Sequence, residues 1–298
     1  MSVLILLITA IIWGVAFIAQ SVGMDYIGPF SFNSIRYIIG GIVLIPVVLI
    51  RRKTCNVTDA SDANDNNVSD MKTTLVGGVC CGICLAVASL LQQFGIMETT
   101  VAKAGFITAL YIVIVPFLQV LLHKRIRTVV WIAAVIALAG FFVLCGMDFT
   151  SICRGDVQEL IGAFGWAIHI CVIDHFAPGA DGVLMSCVQF FVSGIICGIG
   201  AIAFETITLE AVILCAGPLL YAGVLSSGVG YTLQIIGQKR VEPAIACLIM
   251  SLESVISALA GWIILGEVMT VLEIVGCVLV FAGVILAQLP EKKGEKIS

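Results

Sequence analysis

Ten predominantly apolar runs succeed one another along the chain, at about 3–22, 30–50, 73–94, 102–122, 128–146, 157–174, 182–203, 211–235, 243–264 and 270–289. Charge, Gly or Pro separates them. Each run is close to the ~20 residues with which an α-helix crosses the hydrocarbon core. Barrel strands alternate and are much less apolar overall. The predicted fold is therefore an all-α polytopic membrane protein with ten transmembrane helices. One segment breaks the rhythm. Residues 51–72 contain a stretch from Asp59 to Asn67 that is too polar to bury and is expected to be a mobile loop.

Composition narrows the function. Of 298 residues, 60% are hydrophobic and 11% charged, against about 45–50% and about 25% in soluble domains. Ten spans use about 200 residues, so the connections are short and a large extramembrane catalytic or binding domain is excluded. The net charge of −4 says little, and nothing supports nucleic-acid binding. Met1 to Gln20 is apolar without a basic n-region or an A-x-A-like site, and is expected to be a retained span, not a cleaved signal. Most of the twelve cysteines, including Cys80, Cys81, Cys84, Cys187 and Cys247, lie inside apolar runs, where they act as small hydrophobes. Cys81-Gly82-Ile83-Cys84 has no second pair at zinc-site distance. Neither a metal nor a cofactor is expected.

The positive charges fix an orientation. With the N-terminus cytoplasmic, twelve of the fifteen Lys and Arg fall in loops on that side, among them Arg51, Lys72, Lys124, Arg125, Arg127, Lys239 and Arg240. The opposite side receives Arg154, with Arg36 and Lys103 just inside spans. This positive-inside bias predicts a multi-pass protein of the cell (inner) membrane with both termini cytoplasmic. The sequons at Asn56 and Asn67 then lie in a cytoplasmic loop and are read as chance.

The chain also repeats itself. Ala10-Ile11-Ile12-Trp13-Gly14 is echoed 153 residues later by Ala163-Phe164-Gly165-Trp166-Ala167, and Arg36 faces Gln189 at the same offset. Further on the offset becomes 142: Gln92 and Gly95 meet Gln234 and Gly237, and Thr128 meets Thr270. The expected units are residues 1–146 and 157–290, joined by an external linker 147–156 and followed by a cytoplasmic tail 291–298. An odd number of spans per unit turns the second copy upside down in the bilayer. Inverted repeats with a site near the midplane recur among secondary transporters.

On these features the chain resembles the EamA-type transporters of the drug/metabolite transporter superfamily. The resemblance rests on the five-plus-five layout, the Trp-bearing first and sixth spans, Arg36, Pro116 followed by His123-Lys124-Arg125, and Leu265-Gly266-Glu267. It implies export of amino acids or other small metabolites. It also implies a cavity between the halves, lined by the first, third, fourth, sixth, eighth and ninth helices. The second half departs from the first in having Gln189 for Arg36 and Ala258 for Pro116.

Ionisable groups within spans are costly and mark function by default. Glu253, about eleven residues into the ninth span, is a candidate substrate or proton site. His169 lies one turn after Trp166 on the same face. Gln92, and Gln234 with Tyr231, occupy repeat-related places, and Tyr111 is the equivalent of Glu253. With Trp13, these eight residues form the candidate cavity. Arg36 is expected to pair with Asp25, Glu98 or Asp156. The pairs Gly78/Gly82 and Gly194/Gly198 are expected to pack helices within the monomer or in a homodimer. The partners anticipated are a small-molecule substrate and the lipid bilayer, with proton coupling left open. Two rival readings are weighed. A passive facilitator would use the same fold. An intramembrane serine protease would use Ser226 or Ser227, but every histidine precedes them in sequence and a base must reach the nucleophile.

Overall fold

The computed structural model describes residues 1–58, 70–99, 101–144, 152–265 and 270–289. The core of the polar insert (59–69), the linker residues 147–151, Gly266-Glu267 and the tail 290–298 lie outside the described residues. Everything regular among the described residues is helical: α1 (Ser2–Met24), α2 (Pro29–Thr58), α3 (Met71–Glu98), α4 (Val101–Ala109), α5 (Tyr111–Leu121), α6 (Thr128–Leu144), α7 (Arg154–Phe176), α8 (Gly182–Phe204), α9 (Leu209–Leu214), α10 (Ala216–Leu220), a π-helical stretch (Tyr221–Tyr231), α11 (Thr232–Gln238), α12 (Pro243–Met250), α13 (Leu252–Leu265) and α14 (Val271–Ala287). A lipid-exposed backbone has no water to bond, so an apolar run satisfies its amides internally by coiling.

Seven helices among the described residues are long and apolar enough to cross a membrane, and three more apolar ones, Thr128–Leu144, Pro243–Leu259 and Val271–Ala287, are shorter. At 1.5 Å per residue, 17 residues span about 26 Å, just under the ~30 Å hydrocarbon core. The outward faces are apolar too, with Ile199, Ile202 and Phe204 all exposed. The chain is a polytopic helical membrane protein.

Three differences from the sequence reading have local causes. The second helix runs on through Thr58, inside the segment expected to be a loop, because helical hydrogen bonds continue once the chain leaves lipid. The seventh element begins at Arg154, capped by Cys153 and Asp156, so the end of the expected linker is already helical. Three spans are broken. The fourth parts at Leu110, where the bonds Leu110 N to Ile107 O and Val113 N to Leu110 O tighten to 3₁₀ spacing. The ninth parts at Ser251, whose hydroxyl donates back to Leu248 O at 2.8 Å, a competition with the backbone that bends helices. The eighth passes through the π-helical stretch.

Helix pairing is governed by small residues. The most extensive contacts are α6 with α14, α2 with α8, and α3 with α7 and α8. Between α6 and α14 the backbones touch: a Cβ on Gly140 would sit 2.7 Å from Val280 N, and one on Gly276 2.6 Å from Leu144 N. Gly78 and Gly82 seat α3 on Val188 and Val192 of α8, and Gly194 seats α8 on Ile38 of α2. Both small-residue pairs are thus used inside the chain. At the end of α8, the Glu205 carboxylate accepts from Phe30 N (2.9 Å), Ser31 N (2.8 Å) and the Ser31 hydroxyl. This satisfies free amides at the start of α2 and complements that helix's positive end.

Asp70 does the same for α3, accepting from Lys72 N at 3.2 Å and Thr73 N at 2.9 Å. Those bonds, with one from the Thr73 hydroxyl, hold its carboxyl below the ordinary 3.8. A depressed folded-state value means the cap contributes above pH 3.8 and is lost as pH falls through the lower, folded value. Asp70→Ala is therefore expected to speed amide exchange at Lys72 and Thr73 at neutral pH. Acidification through the lowered value should reduce the protection of these two amides, relative to their intrinsic exchange rates, in the unsubstituted chain and leave it unchanged in the variant.

Candidate functional site

A cavity lies at the centre of the bundle. From the first half it takes Trp13, Phe17 and Gln20 of α1, Gln92 of α3, Thr108 of α4 and Tyr111 of α5. From the second come Trp166 and Ile170 of α7, Ser226 and Tyr231 of the π-helical stretch, Gln234 of α11, Met250 of α12 and Glu253 of α13. The structure thus brings seven of the eight candidate residues to one space. His169 is the exception: it is fully buried behind the wall, Nε2 3.3 Å from Gln189 Oε1, its ring edge-on to Trp166 and Tyr231.

The residues missed by the sequence reading sit at helical spacing from those it found. Phe17 and Gln20 follow Trp13 at i+4 and i+7, Ile170 follows Trp166 at i+4, and Thr108 and Met250 precede Tyr111 and Glu253 by three. Extending each candidate by one turn finds all but Gln20, which lies two turns from Trp13. Ser226 is different. Five residues before Tyr231, it would point about 140° away on an α-helix of 3.6 residues per turn. The π geometry, with its i→i+5 bonding, carries both to the same side.

The lining pairs by repeat. At the offset of 153, Trp13 matches Trp166 and Phe17 matches Ile170. At 142, Gln92 matches Gln234, Thr108 matches Met250 and Tyr111 matches Glu253. The last pair meets directly, the Tyr111 hydroxyl donating to Glu253 Oε1 at 3.4 Å.

Aromatic rings form the wall. Trp13 lies 4.6 Å from Tyr231 between ring centroids and donates its indole N–H to Ser226 O at 3.2 Å. Trp166 also stacks with Tyr231, at 6.2 Å between centroids. Among the described residues lining the space, Glu253 carries the one carboxyl. A second buried carboxyl, Glu159, stands behind it and accepts from Thr108 Oγ1 at 2.9 Å. Thr108 in turn lies 3.5 Å from Gln92 Nε2. Nothing in the periodicity singled out Glu159, because it sits near the polar start of α7.

Arg36 departs from expectation. Its guanidinium is buried and donates to Gln20 Oε1 at 2.9 Å and to the Tyr37 hydroxyl at 2.7 Å. Among the described residues no carboxylate reaches it, so the anticipated pairing with Asp25, Glu98 or Asp156 is replaced by neutral acceptors and the Tyr37 ring face 4.6 Å away. Gln20, which lines the cavity, thus has its Oε1 taken by Arg36, while its Nε2 donates to Ala16 O at 3.4 Å. Ser226 and Ser227 have no hydrogen bond to a histidine, and no cluster of His, Cys, Asp or Glu suited to a metal occurs among the described residues.

Gln234 is 2% exposed and its Oε1 has no partner. An unsatisfied buried acceptor costs about 1–3 kcal/mol, a cost a bound ligand can remove. Gln234→Leu is expected to raise the melting temperature of the ligand-free protein while weakening substrate binding. A variant that loses both, or neither, contradicts this role for the amide.

The profile of the EamA-like transporter family matches residues 1–146 and again 154–289. The chain belongs to that family. Relatives extend over nearly its whole length. A transporter of Archaeoglobus fulgidus is 27% identical over 95% of this chain and 84% of its own. The Bacillus subtilis transporters YwfM and YoaV are 25% and 21% identical, over 97% and 93% of this chain and 94% and 92% of theirs. All three are described as uncharacterized transporters. A crystal structure whose description names no function shares the fold, with a TM-score of 0.76, 19% identity and 96% coverage of both chains. Within the EamA-like family, this chain is a membrane transporter.

Proposed function

We propose that this EamA-like protein is a secondary transporter of a small polar metabolite, with efflux of an amino acid or related compound as its leading activity. It works by alternating access around the central cavity, which lies between two inverted five-helix halves within a ten-span bundle. The observation that carries the reading is the pairing of the cavity wall. Five repeat-related residue pairs converge there, and the family profile matches the chain twice. Helix contacts support it by recurring with the halves exchanged: α3 on α7 mirrors α1 on the π-helical stretch and α11, and α5 on α7 mirrors α1 on α13. The breaks at Leu110 and Ser251, beside the cavity, are the kind of discontinuity on which transporter sites are built. Charge placement favours cytoplasmic termini in a cell (inner) membrane.

The cavity measures about 40 Å³. One water takes about 30 Å³ and small-molecule sites about 300–1,000 Å³. Substrate binding therefore requires the halves to move apart, as a rocking mechanism does. Aromatic faces, three glutamines and one carboxyl suit a ligand that is polar at its ends and apolar between them. Proteoliposomes preloaded with a pooled metabolite panel, assayed for counterflow with and without a pH gradient, test the proposal. Saturable exchange accelerated by the gradient is expected for proton coupling, whereas exchange indifferent to it marks a passive facilitator. No exchange of any panel member contradicts the reading.

A further inference from the structure

A second cavity, of about 310 Å³, opens at the end of the bundle where α5 and α11 finish. It is several times larger than the central one and reaches the size of small-molecule sites, about 300–1,000 Å³. Gln234 of the central cavity and Gln238 of this one lie one turn apart on α11, so the two spaces share helices without sharing residues.

Its wall is basic. Lys124 and Arg125 enter from the turn after α5, and Lys239 and Arg240 from the turn after α11. Against these four cations stand two carboxylates, Asp174 and Glu242. Lys124 is occupied by Asp174, at 2.5 Å, and Lys239 by the carbonyl of Ala180, at 2.5 Å. Arg125 and Arg240 carry exposed guanidinium groups that make no hydrogen bond or ion pair to the described residues. Deeper in, Gln238 is 3% exposed with both its amide nitrogen and its amide oxygen unpartnered, and Gln119 Oε1 is also without a partner. Buried amides are nearly always hydrogen-bonded. In a cavity of this volume, beside two free arginines, the Gln238 Nε2 donor is left for a guest the protein itself does not supply, and the two unpartnered amide oxygens are left to solvent or to a guest's own donors, such as the hydroxyl of a monoprotonated phosphate.

We infer that this vestibule is an oxyanion-binding site that takes a carboxylate or phosphate group, gripped by Arg125 and Arg240 and by the Gln238 amide. A guanidinium pairs such groups through two parallel N–H bonds, and Arg125 and Arg240 line the same cavity from two different turns. Two sources share this chemistry: a soluble phosphate or carboxylate, and the headgroup of an anionic lipid at the membrane surface.

The test is calorimetric titration of inorganic phosphate, at constant ionic strength, into the full chain in phosphatidylcholine nanodiscs. Saturable binding is expected, weakened about tenfold or more in Arg125→Gln/Arg240→Gln, since each lost charge-assisted bond is worth that much. Both side chains are exposed and unbonded, so the variant keeps its fold, checked by an unchanged melting temperature. Gln238→Leu should weaken binding separately. Repeating the titration with phosphatidylglycerol in the discs separates the sources. Competition identifies a lipid headgroup and unaltered binding a soluble anion, and either result supports the site. No saturable phosphate binding in phosphatidylcholine, or binding indifferent to the double variant, overturns it. Because the readout is binding without flux, its failure is distinct from failure of the transport reading.

Discussion

Glu253→Gln is expected to leave the folded bundle intact and to lower substrate counterflow by about tenfold or more. The amide keeps the shape of the carboxyl and can still accept from Tyr111, so the contact between α5 and α13 survives. What disappears is the one carboxyl among the described lining residues, and with it the charge-assisted bond that a cationic group of the substrate would make. A hydrogen bond to a charged group is worth about 1.5–3 kcal/mol, which corresponds to roughly 10–150-fold in affinity. The aromatic faces and glutamines remain in the variant, so any residual transport reports their share. The same substitution should flatten the dependence of flux on pH if Glu253 carries the coupling proton. Tyr111→Phe, which removes the donor and keeps the carboxyl, should have a smaller effect. Wild-type flux and an unchanged pH profile in Glu253→Gln would remove this residue from the mechanism.

Gly276→Leu is expected to break the bundle itself. Lipid tails are as apolar as side chains, so helices in a bilayer are held by close packing and not by the hydrophobic effect. The α6–α14 pair depends on backbone contact. A Cβ at position 276 would meet Leu144 N at 2.6 Å and Gly140 O at 2.7 Å. Neither is the movable end of a side chain, so the whole helix must retreat. Overpacking costs about 1–3 kcal/mol and occasionally more. The melting temperature in detergent should fall and monodisperse protein should be lost. Gly217→Ala, where nothing lies within 4 Å, should change neither. A Gly276→Leu protein as stable as the unsubstituted chain would show that the pair tolerates separation.

Much of the architecture was readable because bilayer chemistry is severe: a run such as Thr128–Leu144, with no polar exit for its amides, has only a helix open to it. The same severity pointed to Glu253 and to the glutamines, since polar groups persist in lipid only with a reason. The breaks were not readable. The break at Ser251 depends on the bond its hydroxyl makes to Leu248 O, which no pattern of residue types displays. The π-helical stretch was likewise hidden in a Gly- and Ser-rich run, so Ser226 was weighed as a nucleophile when its carbonyl instead receives the Trp13 indole. Arg36 was assigned a carboxylate partner because charge pairing is the commonest answer for a buried cation. Its neighbours Gln20 and Tyr37 answer with neutral acceptors, and Gln20 itself lines the cavity. His169 shares a helix with Trp166, but its ring turns to Gln189 and away from the shared space.

The central claim is that both halves enclose one space which opens to each side of the membrane in turn. Its most direct test places a single cysteine at Ile170, a cavity-lining position with no polar contact to lose, after the twelve native cysteines have been replaced, and labels it with a membrane-impermeant maleimide from each face in turn. Alternating access predicts labelling from both faces, with substrate on one side shifting the rates in opposite directions. Labelling from only one face under every substrate condition would contradict it.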